Sequence, residues 1–241
     1  MSSVAVIRAQ VERRLPGVFT VSERSVPDVF PTGVVSIDQE AGGIPKGALT
    51  QICAPTEITS GRTTLLLSLL AQVTGKDQFC ALVDAGDNFD PESAAAMGVS
   101  LSHLLWVRCG ARAHLKPVEQ AFKAADILLQ NGGFGVIAID LGSVEEKLIR
   151  KIPLTVWFRF ARVIEAMPAA LVVLLTHSAA QSCAVLTLHV GCATPEWSGQ
   201  GSTSHGQILS DVKFNLELGR TRTKKPVESA SICFSARPQW A

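Results

Sequence analysis

A chain of 241 residues, 47% of them hydrophobic and 18% charged, is long enough to bury a full core in one domain, or in one domain with a small appendage. With 22 basic and 21 acidic residues the net charge is +1, so no overall field draws the molecule to nucleic acid or to an acidic membrane surface, and any DNA binding has to come from a local patch. The longest apolar run, residues 169–175, falls far short of the ~20 residues that span a bilayer. The N-terminal apolar stretch is interrupted by Arg8, Glu12, Arg13 and Arg14, too early for an export signal, so a soluble, cytoplasmic protein is expected.

In chain order, Val4, Ile7 and Val11 have helical spacing and predict a short amphipathic helix that ends at Leu15-Pro16-Gly17. Residues 1–30 read as this helix and a linker, and residues 31–241 as the core. Short apolar runs of strand type follow at 48–53, 79–84, 104–109, 135–140 and 170–176. Segments of helical period lie between them at 61–73, 91–97, 115–130 and 154–167. The alternation predicts an α/β fold with a mostly parallel central sheet, helices on both faces and right-handed crossovers. From residue 184 strands come without helices, at 184–190, 211–218 and 229–234, and are expected to add antiparallel strands at one edge. Residues 191–207, rich in Gly, Ser and Thr, read as a loop between the first two. The six cysteines show no C-x-x-C spacing, and Cys53, Cys80, Cys109 and Cys233 sit in apolar runs, which fits buried thiols better than a zinc site.

The segment 54–64, APTEITSGRTT, is a phosphate-binding loop with altered key positions. The intact pattern, G-x-x-x-x-G-K-[ST], cradles phosphates on backbone N–H groups at a helix N-terminus. Here Gly61 and Thr63 are in place, Arg62 stands for the lysine, Thr56 stands for the first glycine, and Ala54 lies two residues too far away. A planar guanidinium does not enter a narrow loop as a compact ammonium does. Gly61, Arg62, Thr63, Thr64 and Asp140 form the candidate site for ATP, with Thr63 and Asp140 as the Mg²⁺ ligands if nucleotide binds; Asp140, at the end of an apolar strand, reads equally as a turn cap.

Gly42-Gly-Ile-Pro-Lys-Gly47, the following strand and loop, Leu82-Val-Asp-Ala-Gly-Asp-Asn-Phe-Asp-Pro91 and Ala96-Met-Gly-Val-Ser-Leu-Ser-His-Leu-Leu105 occur in one order. Together they resemble the RecA recombinase ATPase core, over about residues 32–226, and the resemblance implies the RecA-like P-loop fold. The short length, Arg62 and Leu105-Trp-Val-Arg-Cys-Gly110 resemble more narrowly the RecA-like accessory proteins of bacterial mutasomes, called ImuA-like or SulA-like, which accompany error-prone polymerases in the SOS response.

The resemblance also identifies departures. The family's catalytic glutamate falls on Gly86, leaving Asp87, one residue displaced, as the only candidate base. The Asn-Gln switch is replaced by Thr176-His177. The first DNA loop corresponds to residues 142–153, where Lys147, Arg150 and Lys151, with Arg159 and Arg162, form a candidate phosphate-contacting strip or a solvated helix face. The second is reduced to residues 178–183, without charge. Arg220 and Arg222 match the family's Lys-x-Lys segment, which acts in trans on a neighbouring subunit's nucleotide; a basic turn that limits edge pairing is the other reading.

Of the aromatics, Trp157, Phe158 and Phe160 are expected in the core and Trp197 and Trp240 at the surface. The resemblance therefore implies a DNA-repair accessory protein of translesion synthesis. Its partners would be a RecA-type recombinase, an error-prone polymerase-like protein or single-stranded DNA; it would have a degenerate ATP site and no strand exchange. The alternatives are an active DNA-dependent ATPase of the RecA class, with Arg62 serving for Lys and Asp87 as base, and a SulA-type cell-division inhibitor.

Overall fold

The computed structural model describes residues 3–14, 28–55, 60–110, 116–198, 208–221 and 231–236. Helix α1 (Ser3–Arg14) leads, with Val6 and Ile7 exposed. A two-stranded ribbon, β1 (Val29–Phe30) with β2 (Ile44–Pro45), brackets α2 (Val35–Ala41). Then follow β3 (Ala48–Cys53), α3 (Arg62–Thr74), β4 (Cys80–Asp84), α4 (Pro91–Ala96), β5 (Leu104–Arg108), α5 (Pro117–Asn131) and β6 (Val136–Asp140). The chain continues with α6 (Glu146–Arg150), α7 (Leu154–Glu165), β7 (Ala170–Leu175), β8 (Ala184–Ser198), β9 (Ile208–Thr221) and β10 (Ser231–Ala236).

These strands form one eight-stranded sheet in the order β10-β9-β8-β3-β7-β6-β4-β5. The strands from β8 to β5 run parallel; β9 and β10 are antiparallel. This is the α/β architecture that the alternation of apolar runs and helical segments predicts. Each central strand is buried on both faces because its side chains alternate between two cores. Leu82, Val172 and Leu174 join Leu65, Leu66, Leu69 and Leu70 of α3 on one side. Val83, Leu171 and Val173 join Ala121 and Ala125 of α5 and Trp157, Phe160 and Ile164 of α7 on the other.

Local chemistry sets the helix ends. Asp90 caps α4 by accepting from the N–H groups of Glu92 and Ser93, with Pro91 at the first helical position. α5 also starts on a proline, Pro117, and stops at Gly132, whose φ of 66° lies in the region glycine adopts without a Cβ penalty.

Two expectations are corrected. Residues 191–198 are not loop: β8 continues through them to Ser198, paired with β9 as far as Ser198↔Ile208. β3 pairs with β8 only up to His189, so beyond that point one side of β8 has left the parallel sheet and tolerates Pro195, which has no N–H to give. Phe158 is not core; it is 53% exposed, whereas Trp157 and Phe160 are buried as expected. Trp197 is exposed, and Trp240 lies outside the described residues. Cys53, Cys80 and Cys109 are buried free thiols, joined by Cys183; burial pushes the Cys53 and Cys80 thiols up to about 12. Among the described residues no group of three or more His, Cys, Asp or Glu could hold a metal, and no helix is long and apolar enough to cross a membrane.

Candidate functional site

Parallel strands deliver their ligand-facing residues at their C-terminal ends. Here those ends carry Ala54 after β3, Asp84 on β4, Asp140 on β6 and Thr176 after β7. Asp84 and Asp140 are direct neighbours in register. Asp84 is fully buried, and its two oxygens accept from the N–H groups of Gly86, at 3.1 Å, and Phe89, at 2.9 Å. It therefore ties down the turn after β4. Asp140 accepts from the Gly142 N–H at 2.8 Å. Burial raises the Asp140 pKa; the Gly142 hydrogen bond and the Arg62 charge oppose the shift, and Asp84 adds to it. The ionised form of Asp140 is thus disfavoured by burial and sustained by the Gly142 hydrogen bond and by one cation.

That cation is Arg62, the first residue of α3. Its Nη1 donates to the carbonyl of Ala54 at 3.0 Å and to that of Leu175 at 2.9 Å, which fastens the ends of β3 and β7 together. Its Nε is buried with no hydrogen-bond partner, and burial lowers its pKa against the pull of Asp140. The guanidinium lies on Gly142: a Cβ there would come within 2.1 Å of Nη2 and 2.4 Å of Cζ, so a side chain at this position would have to displace the guanidinium. Arg62 is thus folded into the strand-end crevice as a clasp.

Around the clasp the site is closed in. Gly61 faces Phe214 of β9, whose ring would sit 2.7 Å from a Cβ at that position. Ser60 forms an isolated bridge with Cys192 of β8. The β8–β9 ribbon therefore packs over the start of α3. Thr63 is exposed and Thr64 half-buried in the first turn of α3. Thr56, the position of the missing first glycine, lies outside the described residues.

Gly86 is filled from the opposite side. A Cβ at this position would lie 1.8 Å from Ser143 Oγ, 3.0 Å from Ser143 Cβ and 2.5 Å from Asn88 Nδ2. Gly86→Glu is accordingly expected to destabilise the protein by about 0.5–1.5 kcal/mol in urea unfolding, because the exposed side chains of Ser143 and Asn88 must leave their positions. Adding Ser143→Gly should recover most of the loss. Equal stability of Gly86→Glu and wild type would show that Ser143 turns aside without cost.

Asp87 has a left-handed φ of 54°, and its carboxylate is held in a two-pronged pair by Arg108, Nε and Nη2 each at 2.6 Å. The Arg108 hydrogen bonds hold its pKa below the usual carboxylate range. A carboxylate bound this way is a weak proton acceptor, which works against the role of base for which Asp87 was the candidate. His177 hydrogen-bonds Thr176 Oγ1 through Nδ1 at 3.0 Å, with Glu146 3.9 Å away. Of the basic strip, Arg150 is paired with Glu146 and Arg159 with Asp126, while Lys147, Lys151 and Arg162 are exposed. Arg220 lies on β9 opposite Thr187, and its side chain and all of Arg222 lie outside the described residues.

The structure thus brings Arg62 and Asp140 together and adds Gly142, Ser143 and Phe214, which sequence reasoning missed. The contacts that define them come from residues distant in the chain.

The model of the RecA N-terminal domain matches residues 17–148, more than half of the chain. The chain belongs to the RecA family. Among RecA relatives, "Protein RecA" of Methylococcus capsulatus is 37% identical over 115 residues, 47% of this chain and 31% of that protein. "Protein RecA" of Rickettsia bellii is 34% identical over 144 residues, 57% of this chain and 40% of the relative. "DNA repair protein recA homolog 3, mitochondrial" of Arabidopsis thaliana is 37% identical over 124 residues, half of this chain and 26% of the relative. The RecA-like region of the chain therefore spans well under half the length of these relatives.

Proposed function

We propose that this protein is a RecA-like accessory factor of bacterial DNA damage tolerance that acts by binding a recombinase or polymerase partner, with a degenerate ATP site and no strand exchange. The observation that carries this reading is the Arg62 clasp. A cation that would neutralise nucleotide phosphates instead spends Nη1 on two backbone carbonyls. The filled space at Gly86 and the short, uncharged turn at 178–183 support the same reading, since neither a water-orienting glutamate nor a long DNA loop is provided. Lys147, Lys151 and Arg162 remain available as phosphate-contacting cations, which would position single-stranded DNA without reading its sequence.

A second reading, an ATP-dependent enzyme of the RecA class, is favoured by the family match, which runs through the phosphate loop and Asp140. Phosphate release measured with Mg·ATP and single-stranded DNA separates the two. The accessory reading expects no stimulation above background by DNA, and retention of the protein on a recombinase filament. DNA-stimulated turnover that Arg62→Ala abolishes would establish the enzyme.

A further inference from the structure

Between the turn that follows β7 and the adjoining strands β8 and β9 lies a cavity of about 320 Å³, lined by Ser178, Gln181, Ser182, Thr187, His189 and Gly219. It sits at the lower end of the ~300–1,000 Å³ typical of ligand pockets. Its polarity is set from beneath by Gln51, a fully buried side chain in the middle of β3. The Ala180 N–H can only donate, so the Gln51 carbonyl oxygen must face it, at 3.2 Å. That fixes the amide: its NH₂ group points to the two hydroxyls, donating to Ser178 Oγ at 2.7 Å and to Thr187 Oγ1 at 2.8 Å. Each hydroxyl is forced to accept from Gln51 and keeps its own proton for some other acceptor. Among the described residues no protein group takes either proton. Thr187 is only 3% exposed, and a buried O–H left without an acceptor costs free energy.

The same cavity carries further donors. Ser182 and Gln181 line it from the turn, and His189 lies across Gly219, where a Cβ would meet the imidazole Cδ2 and Nε2 at 2.7 Å. Among the described residues no carboxylate lines the cavity to repel an anion. Glu217, opposite His189 in the β8–β9 ladder, is exposed and outside the lining.

We propose that this cavity binds a small molecule through a carboxylate, held by the Ser178 and Thr187 hydroxyl protons that Gln51 orients. Its lining shares no residue with the Arg62 contacts.

The test is a titration of the intact protein with sodium acetate, read by ¹H–¹⁵N NMR, with sodium chloride and sodium phosphate at matched ionic strength as comparisons. Saturable shifts of the Thr187, His189 and Gly219 amides are expected with acetate, and none with chloride. Thr187→Val should raise the dissociation constant about three- to tenfold, the worth of one hydrogen bond. Ser178→Ala, which removes the other oriented hydroxyl at an exposed position, should act in the same direction and covers the case in which Thr187→Val does not fold. Shifts that fail to saturate, that chloride reproduces, that phosphate alone elicits, or that both variants leave unchanged would overturn the proposal.

Discussion

Arg62→Ala is expected to lower the melting temperature by roughly 5–10 °C. The change removes a charged donor from the carbonyls of Ala54 and Leu175, and with it the lateral tie between the ends of β3 and β7. Hydrogen bonds to charged groups are worth about 1.5–3 kcal/mol each, and water entering the half-buried crevice recovers part of that, so about 2–3 kcal/mol is the net loss. For a domain of this size each kcal/mol corresponds to about 2–4 °C. Arg62→Lys should fall between the two, because an ammonium on a shorter stem lacks the fork that spans both carbonyls. A phosphate-binding arginine that idles in the free protein would behave differently: its removal would leave stability unchanged and alter only nucleotide affinity. Thermal unfolding of the three proteins in nucleotide-free buffer separates these cases.

Trp157→Ala carries the largest expected loss of stability, about 3–5 kcal/mol, as for other large-to-small changes in a core. Trp157 is 1% exposed, stacks edge-on to Phe122 of α5 at 5.6 Å and 89°, and anchors α7 beneath the sheet. Phe158, the next residue on the same helix, is 53% exposed, and its replacement by alanine should change stability by no more than about 0.5 kcal/mol. The pair checks the phase of α7 directly. Comparable losses at both positions in urea unfolding would mean that the helix is rotated from the position described.

Most of the architecture could be read from the sequence because the parallel strands are buried on both faces. A run such as Ala170–Leu175 has no polar residue to disguise it, and the helices between such runs show their own period. The extension of β8 could not be read. Residues 191–198 contain Gly191 and Pro195 and pair with β9, apart from the isolated bridge of Cys192 to Ser60, with irregular register between Val190 and Ala193. Phe158 was misplaced because aromatics in helices are usually core, and only the packing of α5 against α7 decides which of three neighbouring rings faces out.

In the candidate site, the substitution at Arg62 was visible, but its direction was not. The guanidinium is held by the carbonyl of Leu175, 113 residues away, and by the space that Gly142 leaves. Gln51 stands out only faintly, as the one amide in a strand that also holds Thr50, and its partners Ser178 and Thr187 lie 127 and 136 residues further on. The role of Ser143 opposite Gly86 is likewise a matter of tertiary contact.

The central claim is that the nucleotide crevice is occupied by Arg62 rather than prepared for phosphate. Calorimetric titration of the purified protein with Mg·ATP tests it most directly. The account predicts no saturable heat at sub-millimolar nucleotide, because binding would have to displace the guanidinium from both carbonyls. A dissociation constant below about 100 μM, equivalent to more than roughly 5 kcal/mol, and lost in Arg62→Ala, would contradict it and make this chain a nucleotide-binding member of its family.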